Sequence, residues 1–206
     1  MADGRFPKKR TSGGPVLQAD VTDAITSAFF EELARVGYGR LSLDAVAKRA
    51  GVGKAAIYRR WRSKLDVTVT LVAGFALAAI DVPDTGNLLG DVRSYLDNGR
   101  AALSHPLARL IIPDMIAEAT RNPELAAVLA EHVRDPRRAK AAELFERAVR
   151  RGELPPHTDL TVAMDLIAGP LYWRQAVMQM PVDDAYCEQL AAAIVAAISP
   201  REPEAP

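Results

Sequence analysis

Leu43-Asp-Ala-Val-Ala-Lys-Arg-Ala-Gly-Val-Gly53, followed without a gap by Lys54-Ala-Ala-Ile-Tyr-Arg-Arg-Trp61, is the stretch whose reading decides the fold. Leu43, Val46, Ala47 and Ala50 recur at three- and four-residue steps, the spacing of one face of a helix. Ser42 stands just ahead of them, where its hydroxyl is expected to accept from the free N–H groups of the first turn. Gly51-Val52-Gly53 then breaks the helix with two residues tolerant of left-handed backbone angles, and the apolar Val52 between them is suited to plug a core. Helical spacing resumes at once, with Ile57 and Trp61 four apart on an inward side and Lys54 and Tyr58 four apart on an outward one. Two short helices joined by a tight turn form a helix-turn-helix, whose second helix is the one held out to enter a groove.

The flanks extend the helical pattern. Upstream, Val21, Ile25, Ala28, Phe29, Leu33 and Val36 mark an amphipathic helix over 20–36, stopped by Gly37 and Gly39. Downstream, Ser63 is the next expected N-cap, and a long apolar helix over 64–80 runs to the break at Asp81-Val-Pro-Asp-Thr-Gly86. Further helices are predicted over 88–104, 107–120, 123–151, 159–180 and 183–198, with Pro136 and Gly169-Pro170 as expected kinks. No alternating strand pattern intervenes. The expected fold is all-α: a three-helix, homeodomain-like head over 16–66 joined to a larger helical body over 67–199. A basic arm over 1–15 and a Pro-rich tail over 200–206 lie outside either core.

With 206 residues, 49% hydrophobic and 25% charged, the composition is that of a globular protein. One cysteine, Cys187, excludes an internal disulfide and points to a reducing compartment. The apolar stretch over 67–80 is too short to span a bilayer, so the expectation is a cytoplasmic protein with no membrane partner. Formal net charge is zero, but it is unevenly laid out. Residues 1–66 hold 13 Lys and Arg against 7 Asp and Glu, and the remainder holds 13 against 19. Between residues 48 and 64 there are seven basic residues and no acid: Lys48, Arg49, Lys54, Arg59, Arg60, Arg62 and Lys64.

That run falls on the second helix and its exit, which makes double-stranded DNA the expected partner. Ala55 and Ala56 allow close approach and contact with a thymine methyl, and Lys54 can donate to guanine acceptors. Tyr58, Arg59, Arg60, Arg62 and Lys64 are placed to reach phosphates, which fixes register and makes binding fall with salt. Lys48 and Arg49 read as plain solvated surface. Arg5, Lys8, Lys9 and Arg10 suit either a minor-groove arm or a solvated tail.

The motifs Leu43 to Gly53, Ala56-Ile-Tyr58 and Ser63-Lys64 resemble the DNA-binding domain of the TetR family, over about residues 20–67. The resemblance implies a two-domain, all-helical homodimer, commonly a repressor released from a near-palindromic operator by a small-molecule inducer. It implies phosphate contacts from Ser42, Tyr58 and Lys64, and base reading by Lys54, Ala55 and Arg59. The chain departs from the family pattern at Gly53, where Ser or Thr is usual, at Trp61, where Phe is commonest, and at Leu65-Asp-Val67. Losing a hydroxyl at residue 53 removes one cap of the reading helix. Arg151-Gly-Glu-Leu154, Asp159 and Gly169-Pro-Leu-Tyr-Trp-Arg174 are similar to one regulatory-domain type of the family, which implies that the last two long helices form the dimer interface.

Residue spacing gives those helices more apolar surface than one domain needs. Leu160, Met164, Ile167, Leu171 and Met178 form a stripe, and Tyr186, Leu190, Ile194 and Ile198 supply the final helix. A two-fold dimer would set two reading helices about 34 Å apart, one DNA turn. Tyr95, Leu103, Leu110, Met115, Phe145, Tyr172 and Trp173 are the candidate lining of an inducer pocket, although such residues at helical spacing more often form core. No cofactor or metal is expected. The alternative readings are a helical partner- or ligand-binding module with a weakened DNA head, and an enzyme. Catalysis finds poor ingredients in three scattered histidines, His105, His132 and His157, and no phosphate-binding glycine loop.

Overall fold

A computed structural model describes residues 15–78, 82 and 84–199. The expected arm and tail lie outside these residues, except for Pro15, as does the predicted end of the fourth helix at Ile80. Among the described residues there is no strand, and the architecture is all-helical as the pattern predicts. The order is α1 (Pro15–Arg40), α2 (Leu43–Arg49), α3 (Lys54–Tyr58), α4 (Lys64–Ala78), α5 (Leu88–Ser104), α6 (Pro106–Ala119), α7 (Pro123–Leu129), α8 (Asp135–Arg150), α9 (Leu160–Tyr172) and α10 (Asp184–Ile198).

Two π-turns join or extend these helices, and each accompanies a proline. Pro136 lacks the N–H that would bond back to His132, and the chain takes up the mismatch in the widened turn Ala130–Arg134 between α7 and α8. Pro170 sits inside α9, which continues as the π-turn Trp173–Val177, closed by the Met178 N–H on the Trp173 carbonyl at 2.8 Å. Both expected kinks are therefore widened turns rather than breaks.

The apolar residues gather into two clusters. The first joins α1, α2, α3 and α4 through Ile25, Phe29, Leu33, Val46, Ile57, Trp61 and Val67, and it also takes in Ile111 and Met115 of α6 and Leu125 of α7. The helix-turn-helix thus shares its core with the body. The second is built from α5, α8, α9 and α10, around Val92, Leu96, Leu144, Phe145, Ile167, Cys187 and Ile194.

The Arg151-Gly-Glu-Leu motif acts as a latch between α8 and α5. The Gly152 N–H bonds the Val149 carbonyl and the Glu153 N–H the Ala148 carbonyl, ending α8 in a Schellman turn. Arg151 Nη2 then donates to Asp91 Oδ2 at 2.8 Å, and Glu153 Oε2 accepts the Leu88 N–H that opens α5. Asp91 is fully buried. Burial pushes its carboxyl upward, but donation from the Thr85 N–H, from Arg151 and from the Thr85 hydroxyl outweighs this and holds it below the ordinary range.

Candidate nucleic-acid interface

The turn between α2 and α3 is a second Schellman motif. The Val52 N–H bonds the Ala47 carbonyl at 3.0 Å and the Gly51 N–H the Lys48 carbonyl at 3.3 Å. Gly51 takes φ 67°, a left-handed angle that a Cβ disfavours. Val52 packs on the first core beside Ala56, while Ile57 and Trp61 are buried in it. Inward anchoring of Ile57 and Trp61 turns Ala55, Tyr58 and Arg59 outward, and Tyr58 is 54% exposed. The regular helix α3 is shorter than the spacing suggests: it ends at Tyr58, and the winding is carried further by the Arg59 N–H on the Ala55 carbonyl and by the Arg60 and Trp61 N–H groups on the Ile57 carbonyl.

Neither short helix has a side-chain cap. Ser42 occupies the N-cap position of α2 with extended backbone angles, but its hydroxyl makes no capping bond, contrary to expectation; its backbone carbonyl accepts the Val46 N–H instead. This leaves the exposed hydroxyl available to an outside partner. Gly53 occupies the N-cap position of α3 and has no side chain to offer. Ser63, by contrast, caps α4 as expected, its hydroxyl accepting the Asp66 N–H at 3.1 Å.

The seven cations of the basic run divide into two groups. Arg49 is not plain surface: it bonds Glu31 and Glu32, and with Arg35 it clamps the buried Glu32, tying α2 to α1. Donation from Arg35 lowers the Glu32 carboxyl below its ordinary value, against the upward push of burial and with help from Arg49. Arg60, expected at a phosphate, folds back so that Nε donates to the Thr22 hydroxyl and Nη1 to the Ala56 carbonyl. Lys54 pairs with Asp44. Lys64, also expected at a phosphate, instead donates through Nζ to the Tyr38 carbonyl at 2.9 Å and the Gly39 carbonyl at 3.4 Å, with the Tyr38 ring centroid 4.4 Å away. Among the described residues Lys48, Arg59 and Arg62 remain exposed with no side-chain partner. The exposure of Lys48 agrees with its reading from the sequence as solvated surface.

The Lys64 clasp is one half of a junction between head and body. Gly37 interrupts α1 with φ 74°, and the following Tyr38 N–H donates to Asp114 Oδ2 of α6 at 2.8 Å. A Cβ at residue 37 would lie 2.4 Å from Asp114 Oδ1. The turn that ends α1 is thus gripped from α6 through its N–H and from α4 through its carbonyls. Neither Asp114 nor the carbonyl acceptors carried a sequence signal, since the donor and acceptor are far apart in the chain and one of each pair is backbone.

The body does not gather the seven expected pocket residues around one cavity. Met115 lies in the first core and Phe145 is fully buried in the second, while Leu110 and Trp173 are each 59% exposed. Tyr95 and Leu103 pack against the second core, and Tyr172 is half-buried. An open groove of about 540 Å³ lies between α4 and the α7–α8 junction, where Leu65, Val69, Ala73 and Leu77 face Val128, His132 and Pro136. None of the seven lines it.

The expected dimer stripe needs a similar correction. Ile167, Leu171 and Ile194 are buried in the chain's own second core, so they offer nothing to another copy. Leu160, Met164, Tyr186, Leu190 and Ile198 are half-buried at its edge, and Met178 is exposed. The outward apolar residues of this region include Val162, Trp173, Val177 and Met178, together with Ala192, Ala193 and Ala196 on α10. Among the described residues no helix is long and apolar enough to cross a membrane.

A helix-turn-helix with a cationic, uncapped outer face, mounted on a helical body, defines a DNA-binding regulator. Residues 25–68 match the family described as bacterial regulatory proteins, tetR family, and residues 82–194 match the tetracyclin repressor-like C-terminal domain. The HTH-type transcriptional regulator YdeS of Bacillus subtilis (strain 168) is 31% identical over 167 residues, covering 81% of this chain and 84% of YdeS. The DNA-binding transcriptional repressor TetR of Mycobacteroides abscessus is 30% identical over 168 residues, covering 81% and 87%. Among solved structures, the TetR family transcription regulator SCO0332 superposes with a TM-score of 0.68 at 26% identity, over 88% of this chain and 100% of that one. FadR from Bacillus subtilis in complex with stearoyl-CoA has the same fold, with a TM-score of 0.68 at 17% identity, over 86% and 97%. The chain belongs to the TetR family: it is a transcriptional regulator with a DNA-binding helix-turn-helix, and the families it matches are regulators rather than enzymes.

Proposed function

We propose that this regulator is a cytoplasmic homodimeric repressor that grips a near-palindromic operator through α2 and α3 and is released by a small-molecule inducer. The observation that carries the reading is the outer face of the head, where Lys48, Arg59 and Arg62 stand exposed without partners around Ala55 and Tyr58. In this reading Lys54 and Ala55 meet bases, while Ser42, Lys48, Tyr58, Arg59 and Arg62 meet phosphates. Arg60 and Lys64 hold the head in shape and reach phosphate only by leaving their present partners. The head over 16–66 reads DNA, and the body over 67–199 pairs with a second copy and senses ligand.

Dimerisation is supported by the exposed small residues Ala192, Ala193 and Ala196 of α10, which let a second helix approach closely, and by the exposed apolar side chains of Val162, Trp173 and Val177. The place assigned to ligand control is the groove along α4, a largely apolar cleft between Leu65, Val69, Ala73 and Leu77 and the α7–α8 junction. A ligand wedged there would press on the helix that carries Lys64 and hence on the grip around Tyr38. That the same fold holds stearoyl-CoA in FadR agrees with a ligand-sensing body. The coupling required is about 1–3 kcal/mol. A repressor role agrees with the Mycobacteroides abscessus relative.

Selection of bound fragments from genomic DNA by the full-length protein, followed by footprinting, tests this. The expected site has two inverted half-sites about one helical turn apart. Protection of a single unrepeated half-site, or no enrichment over bulk DNA, contradicts the reading.

A further inference from the structure

We infer that Asp44 is a positioning residue for specificity: it holds the ammonium of Lys54 over one base pair, at the expense of overall affinity for DNA. The inference rests on the proposed base-reading role of Lys54. Asp44 belongs to α2 and Lys54 to α3, and their side chains meet as an ion pair across the turn while remaining 54% and 62% exposed. Asp44 is the single acid between residues 33 and 65, so it is the one carboxylate that α2 and α3 themselves carry among their cations. A carboxylate there repels phosphate and is a liability for simple electrostatic binding.

Its choice of partner is informative. Lys48 lies four residues on in the same helix, at the spacing where an acid and a following lysine pair readily, yet Asp44 reaches across the turn to Lys54. Lys54 in turn is the first residue of α3, where the helix dipole disfavours a cation; no acid stands in that first turn and Gly53 supplies no cap. The carboxylate from α2 compensates both. A free lysine carries a long, flexible stem, and a base contact must order it; held by Asp44, the ammonium is ordered before DNA arrives and keeps its remaining protons for a guanine edge.

The account demands two effects of opposite sign from one substitution. Asp44→Ala, in the full-length protein, is expected to tighten binding to unrelated duplex severalfold at low salt, because a repulsive charge is gone. It is expected at the same time to lower discrimination at one operator base pair from about tenfold or more to about two- to threefold. Lys54→Ala should flatten the same base pair, and the double variant should be no flatter than Lys54→Ala alone. Asp44→Asn, which keeps an acceptor without the charge, should fall between. The measurement is competition binding on the selected operator and all its single-base variants, with thermal unfolding to verify that each variant folds. If Asp44→Ala shifts affinity for every duplex by one common factor, or flattens a base pair that Lys54→Ala leaves intact, the positioning role is overturned. If Lys54→Ala leaves every preference unchanged, the base-reading assignment of Lys54 falls first and takes this inference with it.

Discussion

Replacing Asp114 by alanine should loosen the junction between head and body by an amount the geometry sets. The Tyr38 N–H belongs to a residue that is 5% exposed and donates to a carboxylate at 2.8 Å. A hydrogen bond to a charged group is worth about 1.5–3 kcal/mol, and the abandoned N–H finds little water, so Asp114→Ala should cost about 2 kcal/mol. In a chain of this length that is a fall of about 4–8 °C in midpoint temperature. Gly37→Ala offers the complementary probe. Its φ of 74° with ψ 166° is a backbone conformation essentially confined to glycine and strains an alanine by about 1–3 kcal/mol in any background. Its Cβ, placed 2.4 Å from Asp114 Oδ1, also pushes the carboxylate off the Tyr38 N–H. In the Asp114→Ala background only the strain remains, so the two substitutions should couple by about 2 kcal/mol in a double-mutant cycle measured by urea unfolding. Costs that add to within about 0.5 kcal/mol would refute the reasoning, because the carboxylate would then be no energetic link between α6 and the end of α1.

Other consequences are simpler to check. Gly53→Ser should stabilise the head by about 0.5–1 kcal/mol, seen in chemical unfolding, because residue 53 has φ −73°, open space for a Cβ and an uncapped helix ahead of it. Arg151→Met should cost about 2–3 kcal/mol by the same measurement, since it strands the buried Asp91 with only the Thr85 donors and a longer reach to Arg147. Asp91 and Glu32 both have carboxyls lowered by their donors in the folded chain, so their stabilisation is full above the unfolded carboxylate range, near pH 4, and is lost as pH falls through the lower folded values. Asp91→Asn should accordingly flatten the acid limb of a stability profile recorded by circular dichroism.

The helix-turn-helix was legible because it is local. The Gly51-Val-Gly53 break sits between two runs of helical spacing, and a Schellman turn needs little more than a left-handed glycine and an apolar residue after it. The fates of the cations were not legible. Arg60 and Lys64 are held by carbonyls and a hydroxyl contributed by α1 and α3, and nothing in a run of basic residues says which of them already have partners. The stripe on α9 was legible only in part: both of its faces are apolar, so spacing could not say that Ile167 and Leu171 turn into the chain's own core while Met178 stays outward. Aromatic and methionine residues foretold apolar packing but not a cavity: Met115 and Phe145 went to two different cores, and the groove took shape along α4 instead.

The central assignment is that the partnerless cations of the outer face meet phosphate. The salt dependence of binding to the selected operator tests it most directly, comparing wild type with the Lys48→Ala, Arg59→Ala, Arg62→Ala triple variant by fluorescence anisotropy. Three contacts in each half of a dimer should lower the slope of log affinity against log salt by about 5. A triple variant whose slope equals that of wild type would place the DNA on another surface of the protein.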